Sequence, residues 1–395
     1  MPVITLKRGR EQSLLRRHPW IFSGAVASVA GDPEPGGTVD IVSSRNEWLA
    51  RGAFSPQSQI RARVWSFRES DEIGPTFIQE RLTDAIEIRR PLLRKRTLTA
   101  CRLVNAEGDG LPGLIVDRYA DVLVCQFLSA GVESWREVIV ESLKTQFPQS
   151  SIFERSDVNV REKEGLSPRT GVLAGAEPPE AIEIREGDCR FFVDVRAGHK
   201  TGYYLDQREN RATVAEYAPG ANVLNCFAYT GGFGIAAGKA GAASVLNIEA
   251  SADALANAQR NAELNGLDPA SIENMEADVF VALRTFRDSR RQFDLIVLDP
   301  PKFATSRGSL ERAARGYKDI NLLALKLLTP GGILVTFSCS GVVTPELFHK
   351  ILADAAADAR RDVRVLRRLN QAPDHPWTVA FPEGHYLKGL VCRAN

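Results

Sequence analysis

The chain is poor in cysteine and has no two cysteines at close spacing. Six stand at 101, 125, 189, 226, 339 and 392. Without a Cys-x-x-Cys pair, zinc-binding and thioredoxin-like readings have no support. Long apolar runs are also missing; stretches such as Leu295–Leu298 fall far short of the roughly 18 residues that would span a bilayer. The start, Met1-Pro-Val-Ile-Thr-Leu-Lys-Arg, lacks the apolar core of a secretory signal, so a cytoplasmic protein with reduced thiols is expected. No internal repeat is present, which excludes a solenoid. Neither Gly nor Pro dominates, which excludes collagen-like and disordered chains.

What is present is globular. With 395 residues, 44% hydrophobic and 25% charged, the chain exceeds the roughly 250–300 residues at which one core stops growing, so two or three domains are expected. The net charge of +1 hides an asymmetry. Residues 1–68 carry ten Lys and Arg against five acids, and nine of the ten are arginines. A basic N-terminal module on a nearly neutral chain points to a polyanion. Arg16-Arg-His-Pro-Trp20 adds an aromatic beside two cations, an order that suits RNA, where bases stack on rings and guanidinium planes.

Three patterns follow one another along the chain. The first seventy residues read as short strands with turn signals, such as Thr38–Val42 and Ile60–Phe67, and predict a small β-rich barrel or sandwich. After a polar break at Glu69–Pro75, a helix is expected over Phe77–Arg90. Strands at Leu114–Asp117, Asp121–Phe127 and Ser151–Glu154, with a helix over Ser134–Phe147, make the middle an α+β unit with no evident chemistry. From about residue 190 strands and helices alternate. Strands at Asn222–Asn225, Ser244–Ile248, Leu295–Leu298 and Ile333–Phe337, with helices at Ala252–Asn265 and Tyr317–Leu328, specify a parallel sheet covered on both faces.

The chemistry gathers at the ends of those strands. The first runs into Cys226-Phe-Ala-Tyr-Thr-Gly-Gly-Phe-Gly234, where glycine lets backbone approach a ligand. A dinucleotide fold wants Gly-x-Gly-x-x-Gly, but Phe233 stands at the second position, so NAD is disfavoured. Glu249 ends the second strand and Asp278 follows the third. Singly, each acid reads as a surface charge or a helix cap; together, they describe an adenosine pocket without a pyrophosphate site, which S-adenosylmethionine fits. After the fourth strand comes Asp299-Pro-Pro-Lys-Phe303, in which the prolines hold Asp299 extended. After the fifth comes Ser338-Cys339-Ser340-Gly341. A lone cysteine is usually an inert core residue, but this one follows a strand end beside Asp299, where a thiolate could attack carbon 6 of a pyrimidine.

At this point the sequence resembles the 23S ribosomal RNA cytosine-C5 methyltransferases that carry an N-terminal PUA domain. The likeness runs through Lys7–Glu11, Leu14–Trp20, Phe22–Ala25 and Gln59–Trp65. It continues in Gly198–Arg208, Leu224–Phe233, Asp299–Phe303, Gly316–Asn321, Thr336–Gly341 and Tyr386–Gly389. The resemblance implies an RNA-binding PUA barrel at 1–72, a central α+β domain at 73–188 and, at 189–395, an α/β Rossmann-like methyltransferase domain with a mostly parallel seven-stranded sheet. Cys339 would be the nucleophile and Asp299 would hold the cytosine N3 edge. Thr201, Tyr203 and Gln207 would close over S-adenosylmethionine; Phe227, Tyr229 and Gly231 would contact its methionine part, Glu249 its ribose and Asp278 its adenine. Arg8, Arg10, Arg16, Arg17 and Lys302 would contact RNA. The implied partner is 23S ribosomal RNA, with no metal and no membrane, and a homodimer is compatible with that reading. One departure stands out: many RNA cytosine-C5 enzymes place a second cysteine where this chain has Lys302, so the base that removes the C5 proton is unassigned. Two rivals remain: an enzyme methylating exocyclic amines, for which Cys339 would have no purpose, and a non-catalytic RNA-binding factor.

Overall fold

A computed structural model describes residues 1–304 and 306–395. It divides into two compact units: Met1–Ile184 with Val193–Leu205 and Pro373–Gly384, and Arg185–Phe192 with Asp206–Ala372 and His385–Asn395.

The first unit holds two sheets. Six short strands between Val3 and Ser66 form one. All neighbours in it are antiparallel except Val3–Leu6 beside Thr38–Val42. Its alternating apolar positions (Ile4, Leu6, Val39, Ile41, Val64) form a separate core. Five strands between Ala100 and Ala174 form the other sheet. The helices Pro75–Leu93 and Arg136–Gln146 pack on its core through Ile78, Leu82, Ile139 and Leu143. The expected helix over 134–147 is in fact two, Ala130–Ser134 and Arg136–Gln146, which meet at Trp135 (φ −100°, ψ 10°). The helix expected from Phe77 opens at Pro75, whose missing N–H costs nothing in a first turn.

The second unit is built on one seven-stranded sheet. Its strands are β1 (Asn222–Cys226), β2 (Ser244–Glu249), β3 (Ile272–Glu276), β4 (Phe293–Leu298), β5 (Leu328–Ser338), β6 (Val363–Asn370) and β7 (Lys388–Ala394). The spatial order is β3-β2-β1-β4-β5-β7-β6. Strands β1 to β5 run parallel to one another, and β7 runs antiparallel to both β5 and β6. The helices are α1 (Arg208–Glu216), α2 (Gly232–Lys239), α3 (Ala252–Leu264), α4 (Val279–Asp288), α5 (Leu310–Leu327) and α6 (Pro345–Ala359). Helix α5 starts two turns before the expected Tyr317; those first turns bury only Ala313, so no strong apolar stripe marks them in the sequence. Side chains of α4, α5 and α6 (Leu283, Ile320, Phe348) fill one core with Leu246, Ile296 and Leu334 of the sheet.

Two features set the positions of the strand ends. Asn225, Asn247 and Asn274 are partners in the ladders of β1, β2 and β3. Asn225 Nδ2 donates to Asn247 Oδ1 and Asn247 Nδ2 to Asn274 Oδ1, both at 2.9 Å. This row of amides pins the register beneath α2, where a Cβ on Gly234 would stand 2.3 Å from Asn247 Oδ1. The order of connection reverses between β1 and β4, and in such sheets ligands lie outside the carboxyl ends at that reversal.

Candidate active site

The turn after β1 is strongly bent. Phe227 (φ 59°), Tyr229 (φ 49°) and Gly231 (φ 81°) are all left-handed, a conformation that side-chain-bearing residues adopt only when held there. The holding contacts are visible. Ala228 N–H donates to Ile248 O (3.0 Å), Asn261 Nδ2 to Thr230 O (3.0 Å) and Tyr229 N–H to Glu249 Oε2 (2.9 Å). Glu249 Oε1 also accepts from the N–H groups of Ala250 (2.8 Å) and Ser251 (3.2 Å). A carboxylate has about four acceptor positions, so Glu249 shapes the loop with most of its capacity and keeps roughly one for a ligand hydroxyl. Asp278 caps α4 by accepting from Val281 N–H (3.0 Å) and is exposed. The Thr230 hydroxyl is buried without a partner among the described residues. A bent loop, two carboxylates at successive strand ends and an unsatisfied hydroxyl form a set rich in acceptors. It suits the hydroxyls and amino group of an adenosine better than a phosphate.

Across the reversal, Asp299 follows β4. Its Oδ1 accepts from Gln207 Nε2 (2.9 Å), whose Oε1 accepts from Asn210 Nδ2 (2.5 Å). Asn210 in turn donates to Asn370 O (3.0 Å), and the Tyr386 hydroxyl donates to Asp206 Oδ2 (2.7 Å). Burial and the neighbouring Asp206 carboxylate push the Asp299 carboxyl up to about 7, against the opposing pull of Gln207 and Arg211. At neutral pH it is therefore poised between donor and acceptor.

Leu298 is the ladder partner of Thr336, so Asp299 and Cys339 leave the sheet at the carboxyl ends of adjacent strands. The neighbours of Cys339 are pinned: Ser338 Oγ donates to the Tyr317 hydroxyl (3.0 Å), and Ser340 Oγ donates to Ala304 O (2.5 Å). Burial pushes the Tyr317 hydroxyl up to about 12, and the charges of both Cys339 and Asp299 act in the same direction. The other thiols are poor candidates. Cys101, Cys125, Cys226 and Cys392 are buried. Burial raises Cys125 and Cys226 well above the ordinary range, Cys392 to about 12 and Cys189 to about 11. Cys339 is half-buried.

Phe227, Tyr229, Gly231, Gln207, Glu249, Asp278, Asp299 and Cys339 therefore stand together at the carboxyl edge of the second unit's sheet. Gln207 holds Asp299, a role the sequence reading did not give it. Lys302 is exposed on the loop after β4. Thr201 and Tyr203 belong to the first unit, where the Thr201 hydroxyl donates to Asp117 Oδ2 (2.6 Å) and meets the Tyr119 hydroxyl (2.8 Å). Arg8, Arg10, Arg16 and Arg17 are exposed in that same unit, whereas Arg51 and Arg63 are buried in ion pairs with Asp40 and Glu164. Sequence reasoning missed Asp206, Asn210, Tyr317 and Lys388. Only the three-residue spacing of Gln207 and Asn210, one helical turn, hinted at a joint task. Among the described residues no group of three or more His, Cys, Asp or Glu could hold a metal ion, and no helix is long and apolar enough to cross a membrane.

Residues 166–392 match the family model described as S-adenosylmethionine-dependent methyltransferase, and residues 4–67 match a PUA-like domain. A protein named ribosomal RNA large subunit methyltransferase I from Aeromonas salmonicida (strain A449) is 56% identical over 392 residues, covering 99% of each chain. One of the same name from Shewanella denitrificans (strain OS217) is 54% identical, covering 99% of this chain and 98% of that one. Among solved structures, a methyltransferase complexed with SAH aligns over the whole of both chains with TM-score 0.88 at 23% identity. An S-adenosylmethionine-dependent methyltransferase from Streptococcus mutans does so with TM-score 0.86 at 23%. At that identity the likeness is one of fold.

Proposed function

Because the chain belongs to the ribosomal RNA large subunit methyltransferase I family and is an S-adenosylmethionine-dependent methyltransferase, we propose that it methylates carbon 5 of a cytosine in 23S ribosomal RNA through a covalent bond between Cys339 and carbon 6. The observation that carries this reading is the half-buried Cys339 at the same sheet edge as Asp299 and the bent loop after β1. The acceptor-rich set of side chains fits the cofactor: Glu249 would hold a ribose hydroxyl, Asp278 the adenine amino group, and the Phe227–Gly231 turn the methionine part.

The chain's own residues set up the reaction as follows. Asp299 in its protonated form donates to cytosine N3 and draws electron density toward that edge. The Cys339 thiolate then forms a bond to carbon 6, and the electron pair of the C5–C6 double bond becomes available at carbon 5. Bound S-adenosylmethionine would supply the electrophilic methyl group, which carbon 5 takes up with its electron pair as the sulfur–methyl bond breaks and S-adenosylhomocysteine is the leaving group. Carbon 5 gives its proton to a base, and the returning electron pair re-forms the double bond and expels the Cys339 thiolate. A base buried in a helix has to be extruded first, so unpaired or unfolded 23S RNA in the cytoplasm is the fitting substrate. Thr201 and Tyr203 are proposed as further cofactor contacts, and 1–72, 73–188 and 189–395 as the functional division of the chain.

The amine-methylating alternative asks Phe303 to stack on the target base. Here its ring packs 4.7 Å from that of Tyr317 and 5.9 Å from that of Phe280, so it is already part of a cluster. The deciding experiment incubates enzyme, cofactor and RNA containing 5-fluorocytidine. Fluorine blocks removal from carbon 5, so a denaturant-resistant complex should accumulate, with its cross-linked peptide containing Cys339. An active enzyme that forms no complex, or a Cys339→Ala variant that methylates at the wild-type rate, would overturn the mechanism. Methyl on an exocyclic nitrogen would establish the alternative.

A further inference from the structure

Lys388 opens β7 opposite Ser338 in the antiparallel ladder and is only 6% exposed. Lysine is almost never buried to this degree unless its ammonium is paired or fully bonded. Two of its N–H groups reach main-chain oxygens, donating to Ser340 O (2.6 Å) and Val343 O (2.8 Å). Both carbonyls lie in the turn that leaves β5, immediately after Cys339. The same turn is fastened from the other side by the Ser340 hydroxyl on Ala304 O. The two carbonyls solvate the ammonium in part, but neither carries a negative charge.

We infer that Lys388 is a positioning residue for Cys339: its ammonium clamps the Ser340–Val343 turn so that the sulfur is presented at the sheet edge, and it supplies the countercharge that keeps the sulfur a thiolate at neutral pH. This rests on the reading of Cys339 as nucleophile. Charge balances through the cycle. The thiol gives its proton to solvent, and the thiolate faces the ammonium. On addition to carbon 6 the negative charge passes to the pyrimidine ring, and on expulsion it returns to the same countercharge. The site's electrostatics agree. Burial draws the Lys388 ammonium down to about 8, Cys339 favours its charged form and Lys302 opposes it, so at pH 7 the lysine is still mostly cationic. The other titratable groups coupled to this pair are Tyr317 from α5, which feels Cys339 and Asp299, and His385 just before β7, which feels the Lys388 charge.

The test reads the thiol directly in full-length enzyme without RNA. The rate of iodoacetamide alkylation is followed for the Cys339 peptide by mass spectrometry between pH 6 and 9.5. At pH 7 Lys388→Met should slow alkylation by about tenfold, the equivalent of one pKa unit, while Lys388→Arg, which keeps the cation, should recover most of it. Comparison at equal pH cancels the titration of Asp299. In turnover, Lys388→Met should lower kcat and leave cofactor affinity unchanged. Equal alkylation rates in wild type and Lys388→Met would overturn the inference. Should Lys388→Met fail to fold, the wild-type profile still decides: a midpoint below the roughly 8.5 of a free thiol is expected, and one at or above it refutes the countercharge. Because no RNA is present, loss of the fluorocytidine adduct would sink the nucleophile reading alone, and equal alkylation would sink this inference alone.

Discussion

At the scale of residues, Asp299 shows how the fold changes a side chain's chemistry. Its carboxyl is pushed up from 3.8 to about 7, by burial first and by Asp206 second. A carboxyl whose native pKa is raised holds its proton better folded than unfolded. Its contribution to stability is therefore full below about 3.8 and is lost as the pH rises through 7. Asp299→Asn removes that loss while leaving an oxygen to accept from Gln207. The variant should be more stable than wild type by on the order of 1–3 kcal/mol at pH 8, with the gap shrinking toward pH 4, as read from thermal unfolding across that range. Its methylation rate should fall by about 10²–10⁴-fold, the size of a lost acid–base contribution. A stability gap that widens toward low pH would show that the sign, and with it the donor role of Asp299, is wrong. Glu249 carries a different lesson: with three backbone N–H groups on its carboxylate, it builds the loop as much as it could hold a ribose.

At the scale of elements, the carboxyl ends of β1, β2 and β3 are aligned by the Asn225–Asn247–Asn274 row. Asn247 is fully buried and serves both neighbours. Asn247→Ala would leave the buried Asn225 Nδ2 without its acceptor and take the donor from Asn274 Oδ1, while the half-buried Asn274 Nδ2 keeps its bond to Gln259; an unpaired buried group costs about 1–3 kcal/mol. A loss of about 2–4 kcal/mol is expected in urea unfolding, together with weaker cofactor binding, because the turn after β1 and Glu249 would no longer share one register. A fully stable Asn247→Ala variant would show that the row is incidental. The glycines of the loop divide by task. Gly231 supplies a left-handed turn, whereas Gly234 is glycine because Asn247 leaves no room for a Cβ.

At the scale of the whole molecule, the N-terminal charge is the property most exposed to solvent conditions. Arg51 and Arg63 are spent in buried pairs, so the basic surface rests on exposed residues such as Arg8, Arg10, Arg16 and Arg17; Arg17 also lies 5.8 Å over the Phe67 ring. Replacing these four by Gln should weaken RNA binding and flatten its dependence on salt, by roughly 0.7–0.9 in the logarithmic slope for each phosphate that is no longer neutralised. Titrations between 50 and 200 mM salt check this, and cofactor affinity, measured alongside, should not change. An unaltered slope would place the RNA footprint elsewhere.

The amino-acid order alone determined the strand–helix alternation after residue 190, the acids at successive strand ends and the cysteine beyond the fifth strand. Those signals are local: a strand end, a glycine turn and an acid each lie within a few residues of one another, and the parallel-sheet rule brings strand ends to one edge. What only the tertiary structure decided depends on partners distant in the chain. Gln207 meets Asp299 across 92 residues, Tyr386 meets Asp206 across 180, and Lys388 meets Ser340 across 48. No periodicity encodes such pairs, because each is set by which strands become neighbours. Two of the ten N-terminal cations likewise proved to be internal, since composition counts charges without knowing which are buried and paired. The pKa of Asp299 belongs to the same class: it arises from burial and from a second carboxylate that only the folded sheet brings near.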